Sequence, residues 1–274
     1  MNHVLPPDME GGAVAEIQDI LDRLAADNGV AIPLAIESGS RAWGFPSPDS
    51  DYDCRFVYLR PATETFTLFP RRDVIEHPLS SLIDVGGWEL SKALRLLIRG
   101  NAVIIEWLTS PFAYREHPEF RAGFLDLAED VADRSLVARH YFHLAEGQSV
   151  RFLDNPDGEV ALKKLLYVLR PLMALRWLSA RPDAAVAPMN FGLLLDGVDL
   201  SADVRQDISD LLERKRTTRE LGTGKIPGSI HEFISGTLRD MEDFREAPAE
   251  KDTEAGERAA DDFWRNWTER LSPA

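Results

Sequence analysis

Two short stretches of the 274-residue chain carry side chains whose types and spacing suit phosphate chemistry. The first is Gly39-Ser40-Arg41, shortly after the apolar run 30–36, which reads as a buried strand. Glycine lets a backbone approach a phosphate closely, and a helix starting there turns free N–H groups toward an anion. Ser40 adds a hydroxyl, and Arg41 a charge-assisted contact. The second stretch is Asp51-x-Asp53, opening a run of β-formers over 51–59 that predicts a strand. Residues two apart on a strand share a face, so these carboxylates repel each other unless a cation lies between them. Mg2+ (or Mn2+) takes hard oxygen ligands, commonly one or two carboxylates together with substrate phosphates. The polar, Gly- and Pro-rich connection over 37–50 can fold back so that the glycine loop and the carboxylates meet.

Singly, a Gly-Ser pair is commonplace and an Asp-x-Asp is ordinarily a solvated strand end. In this order and spacing they resemble the polymerase-β-type nucleotidyltransferase superfamily, where a Gly-Ser pair precedes an apolar-flanked Asp-x-Asp and a later third carboxylate. The blocks 37–45 and 50–58 resemble the RlaP (RNA-ligase-associated, or YcgL) family of predicted nucleotidyltransferases. So do Asp84-Val85-Gly86-Gly87-Trp88-Glu89-Leu90, Glu106-Trp107-Leu108-Thr109-Ser110-Pro111 and the block 163–172, and the similarity spans about residues 30–245.

The resemblance implies transfer of a nucleoside monophosphate from an NTP to a hydroxyl, with pyrophosphate leaving. Asp51 and Asp53 would bind Mg2+ on the triphosphate, and Gly39 and Ser40 would hold its β- and γ-phosphates. It also implies a third acid. Asp84, in Leu82-Ile83-Asp84-Val85, has the apolar flanks of a strand residue; Glu76 is its rival, and Glu89 fits less well. The third acid would act as general base or as a further metal ligand. A catalytically silent nucleotide or RNA sensor, or a partner module, is the alternative from another class. A metal-dependent phosphohydrolase using water is a third reading.

Lys163, Lys164, Tyr167 and Arg170 share much of one helix face. They form either a clamp on the nucleotide or a solvated face. Arg214, Lys215, Arg216, Arg219 and Lys225 are the basic cluster of an acidic chain, either an RNA-binding patch or again a solvated face. Trp43, Phe45 and Trp88 either stack on a base or pack in the core, Cys54 reads as core, and nothing completes a zinc site around His140 and His143.

The elements that must position these groups follow from patterning. A helix is expected over 12–29, then strands at 30–36, 51–59, 66–69, 73–76 and 82–85. Pro33 suggests an edge strand or a strand start, and Gly86-Gly87 a strand end. Helices follow at 88–98, 136–153, 160–180, 204–220, 230–245 and 261–271, with a solvated linker at 247–257. The expectation is an α+β chain, with a nucleotidyltransferase-fold mixed sheet over 12–115 and an α-helical unit over 116–274. With 31 Lys and Arg against 46 Asp and Glu, the net charge is −15, which repels polyanions on average. A lone cysteine, no apolar run near the ~20 residues of a membrane span and no signal-like start point to a cytoplasmic protein. The acceptor (RNA, protein or small molecule), the NTP and the oligomeric state stay open.

Overall fold

The computed structural model describes residues 9–65, 67–78, 82–153, 159–218 and 221–271. The first helix, α1 (Gly11–Asn28), buries Ile17, Ile20 and Leu21. Gly29 closes it at φ +61°, where its N–H reaches the carbonyls of Ala25 and Ala26. Then come β1 (Ala31–Ser38), the short α2 (Gly39–Trp43), β2 (Tyr52–Leu59), α3 (Ala62–Thr65), β3 (Val74–Glu76) and β4 (Ile83–Glu89). Helices α4 (Leu90–Ile98) and α5 (Ala102–Thr109) lead to β5 (Ala113–Glu116). The rest is mostly helical: α6 (Pro118–Val131), α7 (Arg134–Leu153), α8 (Leu162–Ser179), α9 (Phe191–Asp196), α10 (Ala202–Thr217), α11 (Gly228–Asp240) and α12 (Thr253–Leu271). A small ribbon of β6 (Glu159–Ala161) and β7 (Thr223–Lys225) interrupts it.

The five main strands lie in the order β3-β4-β2-β1-β5. β2 runs antiparallel to β1 and parallel to β4. Alternation along β2 separates two cores. Cys54, Phe56 and Tyr58 face one cluster with Ile17, Ile20 and Leu21 of α1. Val57 and Leu59 face the other, which continues through α4 to α8 and on to Trp267 of α12. Asp53 and Arg55 have the parity of Val57, so they look toward the helical side.

Several expectations are corrected. β1 is an interior strand between β2 and β5; the register shift between Ala31 and Leu34 accommodates the missing N–H of Pro33. β4 runs through Gly86 and Gly87 instead of ending there, because Gly87 faces Phe56: a Cβ would stand 2.3 Å from that ring. Trp88 therefore belongs to the strand, stacked on Trp107 at 4.1 Å. Of the strand expected at 66–69, residues 67–69 form none, and Phe66 lies outside the described residues. The linker at 247–257 is tied down: the Asp133 carboxylate accepts from Glu250 N at 2.5 Å and Lys251 N at 2.7 Å, and α12 already begins at Thr253. Helices α6 and α9 and strand β5 have no counterpart in the expected pattern. Among the described residues no helix is long and apolar enough to cross a membrane.

Candidate active site

The turn from β1 into α2 is made by Gly39 at φ +69°, a conformation L side chains rarely adopt. A Cβ there would lie 2.1 Å from Asp53 Oδ2. The missing side chain is what lets the start of α2 rest against that carboxylate. The connection back to β2 is pinned to α2. Ser40 Oγ donates to Ser50 Oγ at 2.9 Å, and Ser47 N donates to the same oxygen at 2.8 Å. Arg41 donates to the carbonyls of Ser50 (2.7 Å) and Asp51 (3.2 Å), with its guanidinium 4.1 Å from the centre of the Tyr52 ring. Arg41, expected on the phosphates, instead fastens the backbone that carries Asp51.

Pairing brings the acids together. Asp53 stands opposite Ser38 on β1 and opposite Asp84 on β4. Of the three contenders for a third acid, only Asp84 lies beside the pair. Glu76 is on β3, opposite Gly86 and bound to Arg72 at 2.6 Å, and Glu89 stands opposite Tyr58, at the far end of β2. Arg55, next but one to Asp53, reaches Asp84 Oδ2 at 2.6 Å and Asp53 Oδ1 at 3.6 Å. Burial pushes the Asp53 carboxyl up; Arg55 opposes this, and the charges of Asp84 and Asp51 add to it.

The metal the resemblance implies can be tested against this arrangement. Among the described residues no three carboxylate, imidazole or thiol groups close around one point. The donors nonetheless fit a hard cation: carboxylates on one face that repel each other, with a guanidinium already bridging Asp53 and Asp84.

Glu37 stands out only in the folded chain, where it is fully buried beneath Asp53. Its carboxyl accepts from Asp53 N at 3.2 Å and from Tyr114 Oη. Burial pushes its pKa up to about 8. It holds the Asp53 backbone from below.

The acids and the glycine turn form one wall of a cleft of about 160 Å3, with Gly39, Ser40, Asp51 and Asp53 on that side. The helical side supplies Lys163, Tyr167 and Lys215. Trp43 closes one end, and its buried indole N–H has no partner among the described residues. The four-residue clamp expected on α8 therefore splits. Lys163 and Tyr167 reach the cleft. Lys164 packs between the rings of Phe152 (4.7 Å) and Tyr167 (5.0 Å). Arg170 is buried away from it, bound to Glu106 Oε1 at 2.7 Å and Met189 O at 3.1 Å. It faces the core because Leu166, Leu169 and Met173 surround it on the helix.

The basic cluster on α10 splits too. Arg216 is exposed and pairs with Glu213 at 2.9 Å, and Arg219 lies outside the described residues. Lys215 turns inward, only 4% exposed, with its ammonium 4.5 Å from the Phe45 ring centre and 5.8 Å from that of Tyr167. Among the described residues it has no hydrogen-bond or ion-pair partner. Burial and then the charge of Lys163 pull its pKa down to about 8, against a smaller opposite pull from Asp49. The signal was present in the sequence: Val204, Ile208, Leu211 and Lys215 fall on the one buried stripe of α10.

The chain is similar to known proteins over most of its length. The family described as "RlaP: RNA repair pathway DNA polymerase beta family" matches residues 14–266. The chain is 38% identical over 236 residues to the "Uncharacterized protein YcgL" of Bacillus subtilis (strain 168), covering 86% of this chain and 89% of that one. Among solved structures, a nucleotidyltransferase-like protein from Exiguobacterium sibiricum 255-15 aligns over 92% of this chain and 78% of its own, with 11% identity and a TM-score of 0.29.

Proposed function

Because this chain belongs to the RNA repair pathway DNA polymerase beta family, we propose that it moves a nucleoside monophosphate from an NTP to a hydroxyl acceptor. The observation that carries this reading is the pairing of Asp53 with Asp84 across β2 and β4, beside a glycine turn that has room for no side chain.

In this reading the triphosphate enters the cleft with its charge toward Lys163 and Lys215. Gly39 and Ser40 present backbone N–H groups to its terminal phosphates, while the Ser40 hydroxyl keeps the loop in place through Ser50. Asp51, Asp53 and Asp84 would hold Mg2+ or Mn2+, which when bound neutralises phosphate charge and lowers the pKa of the acceptor hydroxyl. Asp84 takes the acceptor's proton. The acceptor oxygen bonds to the α-phosphorus, the bond to the bridging oxygen breaks, and pyrophosphate leaves with that electron pair. Arg55 holds Asp84 in place between turnovers. RNA is the acceptor that the family description favours.

The test is incubation with each α-32P-labelled NTP, Mg2+ or Mn2+ and a lysate, with label then separated into RNA, protein and small-molecule fractions. Label should enter one fraction and vanish in the variant carrying Asp51→Ala and Asp53→Ala. Transfer that survives in this variant overturns the assignment. The hold of Arg55 on Asp84 favours one second reading, a nucleotide-binding module in which the guanidinium permanently replaces a metal. NTP binding without pyrophosphate release would establish it.

A further inference from the structure

A ladder of alternating cations and rings leads away from the cleft along the helical wall. Lys215 lies over Phe45 and Tyr167, and Lys164 over Tyr167 and Phe152. Arg151, at the end of α7, continues it, with its guanidinium 5.2 Å from the Phe152 ring centre. Two features set this strip apart from ordinary surface. Lys163 and Lys164 sit in the first turn of α8, where the helix dipole disfavours cations, and that turn holds no acidic residue to offset them. Burial, and then the charges of Lys163 and Arg151, pull the Lys164 pKa down, with no carboxylate among the described residues acting against them. In a chain of net charge −15 this is a concentrated positive strip awaiting an external anion.

We propose that Arg151, Phe152, Lys164 and Tyr167 form a track that guides the 3′ end of a single-stranded nucleic acid into the cleft. Rings interleaved with cations are what a single strand requires: bases stack on the rings while phosphates meet the charges. A duplex would present its bases to neither. The track, rather than the α10 cluster, takes the polyanion, because Arg216 is already paired with Glu213 and Lys215 faces inward, which leaves Arg214 as the exposed cation of that cluster among the described residues. The proposal rests on the nucleotidyl-transfer reading for the chemistry at the 3′-hydroxyl.

The test is fluorescence anisotropy with a labelled ten-nucleotide oligoribonucleotide bearing a free 3′-hydroxyl, titrated at several salt concentrations. Arg151→Glu and Lys164→Glu should each weaken binding at least about fivefold and flatten the log–log salt slope by about 0.7 for each phosphate left without its cation. Phe152→Leu, which keeps the packing, should weaken binding without changing the slope. Arg216→Glu should bind like the unaltered protein. An oligodeoxyribonucleotide of the same sequence assigns the sugar preference. Unchanged affinity in both charge-reversal variants, or equal affinity for a blunt duplex, overturns the track. Pyrophosphate release is followed in parallel. If it is absent while the track binds, the transfer reading fails and the track stands; if release proceeds but the charge reversals are silent, the track fails alone.

Discussion

Arg170 and Lys215 are buried to almost the same degree, 3% and 4% exposed, and each lies over an aromatic ring. Arg170 stacks on Trp43 at 4.7 Å and Lys215 on Phe45 at 4.5 Å, and those two rings are 5.7 Å apart. The difference lies in the partners. Arg170 meets a carboxylate, Glu106, whose same oxygen also accepts from Tyr141 Oη at 3.0 Å. Lys215 has no counter-charge of that kind. A buried charge answered inside its own chain is architecture. One left unanswered carries a desolvation penalty, and it is beside this one that the proposed function sets the triphosphate.

The comparison breaks most visibly at Glu106. Glu106→Ala strands the Arg170 charge in the core and should remove about 3–5 kcal/mol of stability, read by urea denaturation. A decrease of less than about 1 kcal/mol would mean that the pair is replaceable by water. Lys215→Met should do the reverse: stability held or raised, and triphosphate affinity reduced at least about tenfold by calorimetric titration, since the ammonium no longer donates to a phosphate oxygen. If Lys215→Met unfolds the protein as readily as Glu106→Ala, the lysine and arginine sites are alike and the distinction collapses.

Acidity sharpens the contrast further. The folded pKa of Lys215, about 8, lies below its unfolded value near 10.4. Between these values the unfolded chain binds the extra proton, so the stability of the unaltered protein rises with pH across that window. The penalty of the buried charge is fully present below pH 8. Lys215→Met should lose that rise, a difference visible in melting midpoints taken from pH 7 to 10. The smallest effect belongs to Arg216→Ala, which should shift neither the melting midpoint nor triphosphate affinity, because its pair with Glu213 is fully exposed.

These two residues also show what the sequence made legible. The glycine turn and the Asp51-x-Asp53 spacing could be read because both are local; the third acid was implied by the resemblance, with Asp84, Glu76 and Glu89 left open. Register then did the rest. Arg170 and Lys215 look alike in sequence, as cations on helices, and only packing against Glu106 or against two rings separates them. The continuation of β4 through Gly86 and Gly87 was hidden for a similar reason, since the need for glycine arises from the Phe56 ring on a neighbouring strand. Glu37 was hidden because a carboxyl near a strand end reads as solvated until the Tyr114 hydroxyl is found above it.

The cleft's volume of about 160 Å3 falls short of the roughly 300–1,000 Å3 of a pocket that swallows a whole small molecule. On the nucleotidyl-transfer reading it takes only a phosphate chain, and without one it suits a handful of waters solvating the ammonium of Lys215. Occupation there is an exchange of hydration for phosphate oxygens, a trade that is blind to the base. On the same reading, discrimination among nucleotides would fall to surfaces outside the cleft, on the sugar and base left at its mouth.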